Sequence, residues 1–138
     1  MAYEEQLRSV WIFSQLEESD IARIAKVVVP RKYSKGETIV EEGSQAVAFY
    51  IITSGKVKVT KGGELLNELG AGNSFGEMAL LDGHPRVATV TALEDTECLA
   101  MTRWDFMAEL RTNPSIALAM LPELSKRIRR LEGEEIPG

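Results

Sequence analysis

The sequence predicts a mainly β, α+β fold: an antiparallel β-roll or jelly-roll barrel with flanking N-terminal and C-terminal helices. Three observations carry this. Short β-rich runs recur from about Pro30 to Met101, glycines punctuate them, and apolar residues at helical spacing occupy both flanks. The expected division is one domain over 1–132, with helices at about 3–28, the barrel at about 29–101 and helices at about 102–132. A flexible tail is expected over 133–138.

In the first helical segment Ile21, Ile24, Ala25 and Val28 recur at helical spacing, with Ser19 or Asp20 as the cap and Pro30 as the stop. The β-runs follow as Thr38-Ile39-Val40, Phe49-Tyr50-Ile51-Ile52, Lys56-Val57-Lys58-Val59 and Leu65 to Leu69. Two more are Val87 to Thr91 and Cys98 to Met101. Gly62-Gly63 predicts a tight hairpin between two of them. Helix returns at Thr102-Arg103-Trp104-Asp105, a capping box with the shorter acid, which opens a helix burying Phe106, Met107 and Leu110. Asn113 and Pro114 then read as N-cap and first residue of the last helix. Its stripe Leu121, Leu124, Ile128 and Leu131 admits two readings, a lid packed on the barrel or a dimer seam. Pro122 inside it costs about 3 kcal/mol and is expected to kink or split the helix.

Composition narrows the function classes. No apolar run approaches the roughly 20 residues of a membrane span, so no membrane partner is expected. Met1 to Arg8 carries Glu4 and Glu5 and lacks the layout of a signal peptide. The single cysteine, Cys98, forbids an intrachain disulfide, so a cytoplasmic location is expected and the thiol reads as a buried structural one. A net charge of −5 argues against direct nucleic-acid binding. The basic cluster Lys126 to Arg130 is flanked by Glu123, Glu132, Glu134 and Glu135 and reads as a solvated, salt-bridged helix face. Trp11 and Trp104 read as core or barrel-packing residues. His84 has no second ligand at metal spacing, so neither a metal nor a cofactor is expected.

The stretch Gly72 to Thr89 carries the chemistry. It reads as a glycine turn, one short helix beginning near Gly76, a second turn, and an arginine leading into a strand. A helix start at Gly76 aims backbone N–H groups of Glu77 to Ala79 outward, where they and the helix dipole favour an anion. Gly76 allows close approach of a ligand to the backbone. Arg86 offers planar bidentate donors suited to a phosphate, and Glu77 offers an acceptor for a sugar hydroxyl. An anion clamp and a hydroxyl acceptor nine residues apart on one compact turn suit a sugar phosphate.

Phe75-Gly76-Glu77-Met78-Ala79-Leu80-Leu81 with Pro85-Arg86-Val87-Ala88-Thr89 resembles the phosphate-binding cassette of cyclic-nucleotide-binding domains. That family includes protein kinase A regulatory subunits, catabolite-activator-type regulators and cyclic-nucleotide-gated channels. Gly36 to Gly43 and Phe49 to Val57 are similar to its early barrel strands, and Ala92 to Ala100 to its closing strands. The likeness covers roughly residues 9 to 132.

The resemblance implies that Arg86 binds the exocyclic phosphate oxygens and that Glu77 accepts from the ribose 2′-hydroxyl. Backbone amides of Gly76, Ala79 and Val87 would complete the sugar-phosphate contacts. Phe75, Met78, Ala88 and Leu66 would line the base pocket, with Arg127 and Leu131 on the last helix closing as a lid. The ligand implied is cAMP, with cGMP less favoured: cGMP-selective members commonly carry threonine where Val87 stands. Leu131 and Glu132 replace the polar pair with which catabolite-activator-type proteins reach adenine. The expected function is a non-catalytic sensor or regulatory domain whose last helix responds to ligand, with an unidentified protein effector and a possible homodimer through that helix. No Ser-His-Asp set, metal cluster or paired carboxylates suggest an enzyme. The alternatives are the sensory part of a DNA-binding transcriptional regulator, or a degenerate member serving as a protein-interaction module.

Overall fold

A computed structural model describes residues 3–133, so all of the predicted tail except Gly133 lies outside the described residues. The helices are α1 (Glu4–Arg8), α2 (Glu18–Ala25), α3 (Glu77–Asp82), α4 (Arg103–Thr112) and α5 (Ser115–Leu131). A 3₁₀ turn, Trp11–Phe13, lies between α1 and α2. The strands are β1 (Val29–Tyr33), β2 (Thr38–Val40), β3 (Ala48–Ser54), β4 (Lys56–Lys61), β5 (Glu64–Gly70), β6 (Ser74–Phe75), β7 (Thr89–Ala92) and β8 (Thr96–Thr102). They form two four-stranded antiparallel sheets, ordered β1-β8-β3-β6 and β2-β7-β4-β5. This is the antiparallel roll that the glycine-punctuated runs predict.

The central strands of the first sheet are covered on both faces. Along β3, Phe49 and Ile51 join the helices, while Ile52 joins Val57, Phe75, Val90 and Cys98 inside the roll. Along β8, Leu99 and Met101 face the helices and Cys98 the interior. Two-sided burial explains why β3 reads as a continuous apolar run rather than a polar–apolar alternation. Phe13 sits at the middle of the helical core, edge-on to Phe49 with ring centroids 6.1 Å apart and tilted against Phe106 at 5.8 Å.

Local chemistry places several joints as expected. Gly62 and Gly63 form the two-residue β4–β5 connection, with φ of 58° and 84°, the left-handed values such a turn requires at both positions. Thr102 Oγ1 accepts from the Asp105 amide at 3.2 Å and caps α4, a contact worth about 1 kcal/mol. Phe106 is fully buried, while Met107 and Leu110 are only partly so.

Other expectations are corrected. The N-terminal segment is two short helices and a 3₁₀ turn, and α2 starts after Glu17 rather than at Ser19 or Asp20. Asp20 is instead buried, accepting from Arg23 at 2.6 Å and from Ser115 at 2.7 Å, which ties α2 to α5. The helix ends at Ala25, before Val28, and Pro30 lies within β1. That strand is at a sheet edge, where a missing N–H is tolerated. The last helix starts at Ser115, one residue later than Asn113-Pro114 implies, and continues unsplit across the exposed Pro122. Trp104 is 61% exposed and is not a core residue. The buried face of α5 is Ile116, Met120 and Glu123; Leu121, Ile128 and Leu131 point to solvent and only Leu124 of that stripe packs on the core.

Candidate functional site

The turn from β6 into α3 builds the site. Gly76 is the N-cap residue of α3 at φ 85°, so the chain reverses without the Cβ that this conformation penalises. Gly83 ends the helix and a loop carries the chain through Arg86 to β7. That loop is held by its backbone: the Arg86 amide donates to the Ser44 carbonyl and the Gly43 amide to the Arg86 carbonyl, each at 2.8 Å. The Glu42 amide also donates to Thr89 Oγ1 at 2.9 Å.

Between these segments and the inner faces of β2, β4 and β7 lies an open pocket of about 390 Å³. Its walls are Val40, Ala46, Val59, Phe75, Gly76, Glu77, Met78, Ala79, Asp82, His84, Pro85, Arg86, Val87, Ala88 and Val90. Eight predicted residues therefore converge: Phe75, Gly76, Glu77, Met78, Ala79, Arg86, Val87 and Ala88. One cation and two carboxylates line an otherwise apolar cleft. Val87, 63% exposed, stands at its open side.

Arg86 is half-buried, and its Nη2 donates to the Ala48 carbonyl. Its guanidinium lies 6.0 Å from the Tyr50 ring centroid, and Tyr50 stacks on Phe75 at 5.0 Å. Burial lowers the Arg86 pKa from its ordinary value, partly opposed by Tyr50. An arginine stays protonated regardless, so the consequence is a poorly hydrated cation ready for an anion. Tyr33, edge-on to Tyr50 at 6.5 Å, has its hydroxyl pKa raised, first by burial and then by Tyr50.

Glu77 divides its two oxygens. Oε1 accepts from the indole Nε1 of Trp11 at 3.4 Å, while Oε2 is buried with no hydrogen-bond partner among the described residues. The guanidinium of Arg127 lies over the Trp11 ring, 4.9 Å from its centroid.

The structure does not bring every predicted residue here. Leu66 is 58% exposed on the edge strand β5, and neither it nor Arg127 nor Leu131 lines the pocket. Leu131 is 77% exposed at the end of α5, and among the described residues no part of α5 lines the cleft. The Ala79 amide is not free for a ligand, because it donates to the Gly76 carbonyl at 3.0 Å. Sequence reasoning missed Ala48 and Tyr50, which hold Arg86, and Trp11, which holds Glu77. In the sequence Trp11 reads only as a core or barrel-packing residue, because its partner lies 66 positions away.

The profile of the family described as cyclic nucleotide-binding domain matches residues 30–113, which include every strand from β2 to β8 and the whole cassette. A cAMP-dependent protein kinase regulatory subunit of Debaryomyces hansenii is 41% identical over 95 residues, covering 68% of this chain and 21% of the relative. A CRP-like cAMP-activated global transcriptional regulator of Mycobacterium tuberculosis is 33% identical over 132 residues, covering 92% of this chain and 59% of the relative. Both relatives extend well beyond the length this chain spans. Among solved structures, the N-terminal domain of a transcriptional regulator from Streptomyces coelicolor A3(2) superposes with a TM-score of 0.86 at 28% identity, covering 96% of this chain and 99% of that one. Pocket, cassette and profile agree, and the chain belongs to the cyclic nucleotide-binding domain family.

Proposed function

We propose that the chain is a non-catalytic cAMP sensor in which Arg86 holds the cyclic phosphate and Glu77 the ribose 2′-hydroxyl. The observation that carries this reading is the convergence of one half-buried guanidinium and one half-satisfied carboxylate on a single apolar pocket. Each group has the donor or acceptor character its part of the ligand needs, and neither is fully used within the protein. Phe75, Met78, Val87 and Ala88 supply apolar surface for the base. Backbone amides of Gly76 and Val87 serve the sugar-phosphate, whereas that of Ala79 would have to leave the Gly76 carbonyl first. The matched family and a relative named as a kinase regulatory subunit support a ligand that is held rather than cleaved.

The signal passes to α5. Leu66, Arg127 and Leu131 lie off the pocket in this structure, so their place at the base requires α5 and the β4–β5 hairpin to move when ligand binds. The exposed residues Leu121, Ile128 and Leu131 then have two uses, closure over the base or a homodimer seam, and the effector is a protein that reads α5. No helix among the described residues is long and apolar enough to cross a membrane.

A second reading is favoured by the Streptomyces structure, which is itself the N-terminal domain of a transcriptional regulator: the chain is the sensory part of such a protein. Both readings require the same ligand. Calorimetric titration with cAMP, cGMP and cyclic dinucleotides tests it. Tightest binding of cAMP at one site per chain is expected, and absence of binding to all of them leaves the degenerate, protein-interaction reading standing instead.

A further inference from the structure

Trp11 lies outside the cassette and outside the pocket wall, yet it is the one described side chain hydrogen-bonded to Glu77. Its 3₁₀ turn is seated firmly: Ile12 and Phe13 beside it are fully buried, and the Phe13 amide donates to the Val10 carbonyl at 2.9 Å. The indole itself is half-buried and packs against the helical core. A rigid donor on a rigid turn thus meets one oxygen of a carboxylate on the opposite side of the chain. Glu77 is a flexible side chain at the first position of a six-residue helix. Left alone, it would sample several rotamers, and ordering it on ligand binding would cost affinity.

We infer that Trp11 is the positioning residue for Glu77: its N–H fixes Oε1 and so leaves Oε2, buried and unpartnered in this structure, as the acceptor for the sugar hydroxyl once bound ligand reaches it. Arg127, stacked on the same indole, holds the ring in place from α5. Sugar recognition and the seating of the last helix therefore share one side chain. The inference rests on the assignment of Glu77 to the ribose hydroxyl.

Trp11→Phe keeps an aromatic face for Arg127 and removes the N–H donor together with one ring of the indole. In this variant cAMP affinity should fall about fivefold, the loss of one modest charge-assisted hydrogen bond. Affinity for 2′-deoxy-cAMP, which has no hydroxyl for Oε2, should change by less than about twofold. Arg127→Met is the companion variant, because Arg127 is exposed and its replacement leaves the core untouched. It should lower the discrimination between the two ligands by about twofold, as expected for loss of one exposed cation–π contact. A wild-type protein that discriminates the ligands, with discrimination undiminished in both variants, overturns the inference alone. A wild-type protein that does not discriminate them removes the Glu77 assignment, and this inference with it.

Discussion

A Cβ placed on Gly76 would lie 2.5 Å from Nη1 of Arg86 and 3.2 Å from the Ala48 carbonyl oxygen. The absence of one methyl group is thus what lets the guanidinium lie beside the start of α3, at the wall of the pocket. Gly76→Ala must adopt a left-handed φ, at a cost of roughly 1–2 kcal/mol, and must push Arg86 aside. The expected result is a lowered unfolding midpoint together with a loss of cAMP affinity of about tenfold or more, since a displaced charge no longer meets the phosphate. Thermal unfolding and calorimetry on the same preparation check both.

Glu77→Gln should weaken cAMP binding about fivefold, because a neutral amide accepts less strongly than a carboxylate. The loss should be nearly absent for 2′-deoxy-cAMP. Losses that add fully between variant and deoxy ligand would show that Glu77 does not touch that hydroxyl.

Val87→Thr adds a hydroxyl at an exposed pocket position and should cost little stability. It should narrow a roughly tenfold preference for cAMP over cGMP by improving cGMP binding, as one new hydrogen bond to the guanine amino group would. Competition titrations of the two nucleotides against wild type and variant measure the ratio. Equal affinities in the wild-type protein would mean that the base is not read at this position.

Cys98 is a free thiol inside the roll, and burial pushes its pKa up to about 11 from an ordinary value of 9.0. The folded state therefore keeps its proton where the unfolded chain has lost it. Stability from this group is fully present below about pH 9 and declines as pH rises toward 11. Half-buried Tyr33, also raised, adds to the decline at the upper end of that range. Cys98→Ala should show a shallower fall in unfolding midpoint between those pH values than wild type. An identical slope would place the thiol in contact with water.

The parts of the fold legible in the sequence are those written in local chemistry. The Gly62-Gly63 turn, the Thr102 cap and the Gly76 start of α3 each depend on residues adjacent in the chain. β1 was not legible, because Pro30-Arg31-Lys32 on an exposed edge carries no apolar signal. β6 is two residues long and has no pattern to detect. In α5 the leucine and isoleucine stripe reads as a lid or a dimer seam, but the core takes Ile116 and Met120, one turn apart, and of the stripe only Leu124. The cassette residues were found because they lie within fifteen positions of one another. Ala48, Tyr50 and Trp11 were not, since only the folded sheets and the 3₁₀ turn bring them to Arg86 and Glu77.

The central claim is that Arg86 anchors a cyclic phosphate. Arg86→Ala removes the cation but also its bond to the Ala48 carbonyl, so circular dichroism must first establish that the variant is folded. Calorimetric titration of cAMP into wild type and folded variant, side by side, then decides. The account predicts saturable one-to-one binding to wild type and a loss of at least about a hundredfold in the variant, the scale of several kcal/mol expected for an unpaired phosphate. Binding of the variant within threefold of wild type would contradict it.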